Sequence, residues 1–199
     1  MSQNLSRGSD TLGIAIQDML DFSKNYFELF GLPVGYVVDA TQLSERYREL
    51  QRVVHPDRFA SATDQERRLS MQGATRINEA YETLKDPIRR AWYLLTLHGI
   101  SLDDQQQTTR DSAFLMEQLE LRELLEQARG ADDPYAEVER LMSGISKRIN
   151  TLVGQMALHF ETPSPEQLEQ AQELLRKMQF LQKLRFDAEQ LEAELDEAL

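Results

Sequence analysis

The stretch Val53-Val54-His55-Pro56-Asp57-Arg58-Phe59 constrains this chain more than any other. One apolar helical pattern runs into it and another leaves it. A proline disfavours the helical region for the residue before it, so the first helix stops at His55. Two helices joined across so short a break pack antiparallel. Their connection holds an imidazole, a fixed proline and a carboxylate at one exposed tip. Helix packing has no use for a His and an Asp there, and exposed polar residues on a loop held by a rigid scaffold usually serve a partner or a substrate. The bland reading of the tripeptide is an ordinary turn, and the flanking helices decide between the two.

Those helices are part of a chain that is helical nearly throughout. In 199 residues there are only 9 Gly and 6 Pro, and Leu, Glu, Gln, Arg and Ala are abundant, which predicts an all-α fold. With no cysteine the chain has no disulfide, no thiol nucleophile and no thiolate metal site, and cytoplasmic is the simplest location. No stretch has the length and apolarity of a membrane span. The N-terminus lacks the basic start and apolar run of a signal peptide, and it is too acidic for a transit peptide. The net charge of −12 is unevenly spread: residues 24–100 carry 11 Lys/Arg against 10 Asp/Glu, residues 101–199 carry 10 against 21. Such an acidic surface opposes nucleic acid as the main partner.

Taken in order, residues 1–23 form an extension with a weak stripe of Leu12, Ile16, Met19 and Leu20, read as a flexible tail more than a docked helix. Asn25 to Phe30 is a short apolar helix stopped by Gly31 and Pro33. Asp39 or Thr41 caps a second, with Leu43, Tyr47, Leu50 and Val54 at helical spacing. After the His-Pro-Asp tip, a third spans about 64 to 85, its stripe of Ser70, Gly73, Ala74, Ile77, Ala80, Tyr81 and Leu84 small enough for close approach. Asp86-Pro87 opens a fourth, N-cap then Pro at N1, carrying Ile88, Ala91, Trp92, Leu94, Leu95 and Leu97. The polar, Gln-rich residues 99–110 read as a linker. Residues 111–199 then give three amphipathic patterns with short connections, hence an antiparallel three-helix bundle. Gly130 ends the first. Asp133-Pro134 opens the second. Ser164-Pro165-Glu166-Gln167, a capping box, opens the third, with Leu174, Leu181, Ala188 and Leu195 at sevenfold spacing and Met178, Leu184 and Leu191 between.

Several motifs now stand in a recognisable order: Tyr26-Phe27-x-Leu29-Phe30-Gly31-Leu32, His55-Pro56-Asp57, Ile77-Asn78-x-Ala80-Tyr81-x-x-Leu84 and Asp86-Pro87-x-x-Arg90. Together they resemble a J-domain over residues 24–98, an antiparallel helical hairpin with short flanking helices. Arg90-Ala91-x-Tyr93-Leu94-Leu95-x-Leu97-His98-Gly99 and the run Phe114 to Glu123 bring the chain closer still to the HscB family, co-chaperones of bacterial iron–sulfur cluster assembly. That likeness covers about residues 25–197. The departures are the N-terminal extension and Arg58, where J-domains commonly have Lys. The resemblance implies that His55, Pro56 and Asp57 dock on a DnaK-type chaperone, HscA, and stimulate its ATPase. The residues suit this: Asp57 can accept a bidentate Arg contact and His55 can hydrogen-bond a partner. On a helical wheel, Arg48 and Arg52 oppose the apolar stripe of the second helix and Arg46 lies near its edge. J-domains usually present basic residues there, so Arg46, Arg48, Arg52 and Arg58 join the candidate chaperone site. Glu45 and Glu49 dilute the patch, and a plain solvated face is its bland reading.

The fifth helix has more apolar residues than one core face can use. On a wheel of about 100° per residue with Leu115 at zero, Phe114, Leu121, Leu124, Leu125 and Ala128 fall between about 180° and 280°. Leu115, Met116 and Leu119 fall between about 0° and 100°, with Glu123 among them and Glu120 just beyond. If the first arc packs inward, the second is an exposed apolar patch with an acidic margin, the mark of a partner site; Met suits an adaptable one. The bland reading packs that patch on the J-domain or on residues 12–20. In the last helix Phe180 and Phe186 also lie off the core side. The resemblance implies that Leu115, Met116, Leu119, Glu120, Glu123 and Phe180 bind the iron–sulfur scaffold IscU, and it gives Phe186 no role.

The three histidines, 55, 98 and 159, belong to different helical elements, and none has metal-ligand spacing. No nucleophile–base pair at motif spacing and no Gly-rich phosphate loop is present. The expectation is a monomeric, cofactor-free adaptor and not an enzyme, which presents IscU to HscA without holding a cluster itself. Two alternatives stand beside it: a general J-domain co-chaperone for unfolded clients, and a helical protein that oligomerises through Leu115, Met116 and Leu119.

Overall fold

The computed structural model describes residues 23–59, 62–101 and 111–197. The stripe at 12–20 and the linker residues 102–110 lie outside them. Among the described residues every regular element is a helix: α1 (Tyr26–Phe30), α2 (Ala40–Val54), a 3-10 turn (Pro56–Phe59), α3 (Asp64–Lys85), α4 (Pro87–Leu97), α5 (Ser112–Arg129), α6 (Pro134–Glu161) and α7 (Pro165–Glu197). The chain falls into two compact units that divide between Arg90 and Ala91, within α4.

In the first unit, caps set most of the helix boundaries. The Asn25 side chain accepts from the Glu28 backbone N–H at 3.0 Å, and the Glu28 carboxylate accepts from Asn25 N–H at 2.8 Å, a reciprocal box that starts α1. Gly31, at φ 63°, ends it in the left-handed region. Asp39, not Thr41, caps α2, accepting from the N–H groups of Thr41 and Gln42. Asp86 caps α4 through Ile88 and Arg89 N–H, both at 2.8 Å. The core is Phe27, Phe30, Leu43, Val54, Phe59, Ile77, Ala80 and Leu84, all nearly sealed from solvent.

Helices α2 and α3 run antiparallel, since partners rise along one as they fall along the other. Ser44 meets Tyr81, the Tyr47 hydroxyl donates to Asn78 at 3.0 Å, and Ser70 meets Val54. Tyr47 also stacks on Tyr81 with centroids 4.1 Å apart. The small residues at 70, 73 and 80 are buried along this seam. Arg76 ties α3 to α1, its guanidinium over the Tyr26 ring and bonded to the Lys24 carbonyl. Arg90 holds the start of α4: it donates to the Leu84 carbonyl and lies 4.9 Å from the centre of the buried Tyr36 ring. Burial pushes the Tyr36 phenol up to about 12 and lowers the Arg90 guanidinium. Two of the six residues expected in the α4 stripe, Trp92 and Leu97, are exposed, while Ile88, Ala91, Leu94 and Leu95 are buried. On a wheel of about 100° per residue the four buried positions fill an arc of about 120°, and Trp92 and Leu97 fall on either side of it.

The second unit is an up-down-up bundle of α5, α6 and α7. Glu117 pairs with Arg148, so α5 and α6 are antiparallel over the shared Leu121–Ile145 core. Tyr135 at the start of α6 donates to Asp196 at the end of α7 (2.9 Å), and His159 at the end of α6 meets Gln167 at the start of α7. Those two helices are therefore antiparallel as well. One core cluster gathers Leu121, Ile145, Leu181 and Leu184, and a second gathers Ala128, Val138, Ala188 and Leu191. Asp133 caps α6 with Pro134 at N1. Ser164 accepts from Gln167 N–H at 3.2 Å, but the Gln167 side-chain oxygen faces His159 instead of completing a reciprocal box. Early in α7 the buried line is Ala171, Leu175 and Met178, with Leu174 only half-buried. A 4-3 spacing from Ala171 thus sets the seam there, one residue away from the sevenfold series expected through Leu174.

Candidate functional site

The tip of the first unit is fastened from several directions. The last carbonyls of a helix lack intrahelical donors, and two of those at the end of α2 are met by side chains. The buried Ser70 hydroxyl donates to the Val54 carbonyl at 2.7 Å, and the Arg58 guanidinium donates to the Arg52 carbonyl at 3.3 Å. His55 follows with extended backbone (φ −59°, ψ 130°), as its place before a proline requires. A 3-10 turn then runs from Pro56 into Phe59, whose ring is buried, while Arg58 N–H closes back on the His55 carbonyl at 3.0 Å.

What this frame presents is polar and open. The His55 side chain is 57% exposed and that of Asp57 is 91% exposed. Asp57 N–H donates to His55 Nδ1 at 3.3 Å. With Nδ1 accepting, the neutral ring carries its proton on Nε2, free to donate outward. Asp57 Oδ2 lies 3.6 Å from Nδ1 and keeps most of its hydrogen-bonding capacity. Along the outer face of α2, Arg46, Arg48 and Arg52 are exposed, together with Glu45 and Glu49. Arg46 pairs with Glu49 at 2.8 Å, and Arg48 Nε donates to the Ser44 carbonyl. Arg58 differs from these three, because its guanidinium is turned back onto the end of α2.

On α5 the second set of residues stands on the side away from the core. Leu115 is 37% exposed, Met116 65% and Leu119 66%, and Glu120 and Glu123 are exposed beside them. Phe114 and Leu121 are buried, as expected, but Leu124 is not: it is 51% exposed. Its place at the very edge of the inward arc leaves its exposure undecided by periodicity. Phe180 is half-buried. Its ring packs edge-on against Phe114 at 5.7 Å, and the Arg122 guanidinium lies 5.5 Å from its centroid. Phe180 therefore reaches the surface beside α5 as part of an aromatic pair, under an arginine that the wheel did not single out. Phe186 is exposed. The start of α5 is locked to α7: Asp111 caps Phe114 N–H and pairs with Lys177 at 2.7 Å. The hydrogen bond from Lys177 and those from the helix N–H groups hold the Asp111 carboxyl below its usual range. Among the described residues no helix is long and apolar enough to cross a membrane.

The family model of the DnaJ domain matches residues 25–93, and that of the HSCB C-terminal oligomerisation domain matches residues 110–192. A co-chaperone protein HscB homolog of Shewanella loihica is 44% identical over 168 residues, 84% of this chain and 97% of that protein. The chain belongs to the HscB co-chaperone family. Among solved structures, the chaperone HscB of Vibrio cholerae has a TM-score of 0.76 at 39% identity, covering 86% of this chain and 99% of its own. Human co-chaperone protein HscB also gives 0.76, at 30% identity, covering 84% and 81%. The His55 tip therefore lies within a J-domain, and the α5 patch within the HscB C-terminal domain.

Proposed function

We propose that this HscB-family chain is a cytoplasmic, monomeric adaptor with two separate grips. Its His55-Pro56-Asp57 tip, with Arg46, Arg48, Arg52 and Arg58 behind it, docks on the DnaK-type chaperone HscA and stimulates ATP hydrolysis there. Leu115, Met116, Leu119, Glu120, Glu123 and Phe180 hold the iron–sulfur scaffold IscU. The chain carries no reactive group of its own to the reaction. It raises the effective concentration of the scaffold at the chaperone, so that scaffold delivery and hydrolysis are coupled. The observation that carries this reading is that three large apolar side chains stand exposed on the reverse side of a core helix, in the same chain as a J-domain.

The test is a steady-state HscA ATPase assay with and without IscU. The chain alone should stimulate hydrolysis, and the chain with IscU should stimulate it further. Stimulation that IscU leaves unaltered removes the second grip. A second reading is favoured by the description of the matching C-terminal family model as an oligomerisation domain: the same three side chains would then meet a second copy of the chain. Sedimentation separates the two. A concentration-dependent dimer abolished by Met116→Glu, with no binding of IscU, supports self-association.

A further inference from the structure

We infer that the partner surface of α5 continues past the Leu115 patch into a groove between α5 and α6, which takes an apolar side chain of the same partner. The inference rests on the reading that this patch binds the scaffold. Met116, Glu120 and Leu124 follow one another at i, i+4 spacing and so form one ridge along the helix. Both apolar members of that ridge are exposed, so it ends on a leucine at the surface instead of turning into the core. Leu124 is also one wall of a groove of about 220 Å³, lined further by Leu121, Leu141, Gly144 and Ile145. One residue thus joins the patch to the groove, and continuity through it assigns both to one occupant.

The groove suits a side chain and is too small for a helix, whose full diameter is about 10–12 Å. Gly144 leaves its wall open, and a Cβ built there meets nothing within 4 Å. Arg140 and Arg148 stand at the rim, each held by a glutamate: Arg140 by Glu137, and Arg148 by Glu117 at 2.9 Å. An entering aliphatic group therefore meets neutralised pairs and not a lone charge, in a half of the chain that is otherwise strongly acidic.

Gly144→Leu fills the groove, because a helical leucine lies back over the turn before it, toward Arg140 and Leu141. It also replaces a poor helix former with a good one, so the fold tolerates it, and circular dichroism melting checks that it does. Titration calorimetry of the full-length variant with IscU should show binding at least about tenfold weaker than wild type, with Leu124→Ala weaker by several-fold. HscA stimulation in the absence of IscU should stay at the wild-type level. If Gly144→Leu binds within twofold of wild type while Leu115→Ala with Leu119→Ala loses affinity, the groove is overturned and the patch stands. If the wild-type chain does not bind IscU, both fall. A dimer that Gly144→Leu dissolves without altering IscU affinity assigns the groove to a second copy and also overturns the inference.

Discussion

At the tip, His55 and Asp57 project from a turn whose neighbours are fastened largely by polar contacts: Ser70 on the Val54 carbonyl, Arg58 on the Arg52 carbonyl, and the buried Phe59 ring beneath. On α5, Leu115, Met116 and Leu119 are held by apolar contacts made on the opposite side of the same helix, through Phe114 and Leu121. The first arrangement fixes a direction, which charge-assisted hydrogen bonds need. The second fixes only a surface, which is enough for burying area in a non-directional way. Apart from Arg58, which belongs to both sets at the tip, the presented residues are distinct from those that do the fastening. Changing a presented residue should therefore cost function and not folding, changing a fastening one should cost both, and the comparison can be broken wherever this fails.

The largest effect is expected from His55→Gln. Among the described residues the ring's polar contacts are to Asp57, and the side chain is 57% exposed, so stability should change by no more than about 0.5 kcal/mol. HscA stimulation should vanish and IscU binding remain. Loss of both in one variant would refute the division between the two surfaces. Next comes Leu115→Ala with Leu119→Ala. Two aliphatic side chains withdrawn from an interface are worth roughly 3 kcal/mol together, or about a hundredfold in affinity. Calorimetry with IscU should show that weakening, while stimulation measured without IscU persists.

Ser70→Ala addresses the fastening directly and should act on both counts. A buried carbonyl left without its donor costs about 1–3 kcal/mol, visible as a lower urea midpoint. The tip should also lose its fixed direction, so stimulation falls without disappearing. If stability drops while stimulation does not, the direction of the tip is set by Arg58 and Phe59 alone.

How far the sequence disclosed these two regions differs for physical reasons. The end of α2 at His55 follows from a steric rule acting between adjacent residues, and the caps at Asp86 and Asp133, with the choice of Asp39 or Thr41 for α2, follow from equally local chemistry. The outward face of α5 followed from counting apolar residues around one helix, because a single helix cannot turn two opposite sides into one core. What stayed hidden depends on partners distant in sequence. Ser70 reads as a small residue in a packing stripe, and only the fold brings its hydroxyl to Val54, sixteen residues earlier. Leu124 sits at the edge of the inward arc, where the position of α6 and not the periodicity decides exposure. Gln167 matched a capping box by spacing, yet its oxygen meets His159 on the preceding helix. Trp92 and Leu97 show the same limit, since apolar character gives no bound on how many residues of a stripe a helix can bury.

The smallest effect separates the two regions by acid. The hydrogen bonds that fasten the tip, from Ser70 and Arg58 to backbone carbonyls, have no group that changes charge between pH 3 and 6. The start of α5 does, through the Asp111 carboxylate on Lys177 and Phe114 N–H. Its folded value lies below the ordinary aspartate value of 3.8. The contribution is therefore full above that ordinary value and is lost as the pH falls through the depressed one. Asp111→Asn keeps a good cap and removes the charge pair, so it isolates this contribution. Amide exchange in the first turn of α5, corrected for intrinsic rates, should show the wild type better protected than the variant at pH 6. The gap should close toward pH 3. Glu66, lowered by its bonds to Thr63 at the start of α3, is a local cap that should behave alike in both proteins. A gap that stays constant from pH 6 to pH 3 would mean that Lys177 does not hold α5 through charge, and that this surface too is fastened by groups that do not titrate.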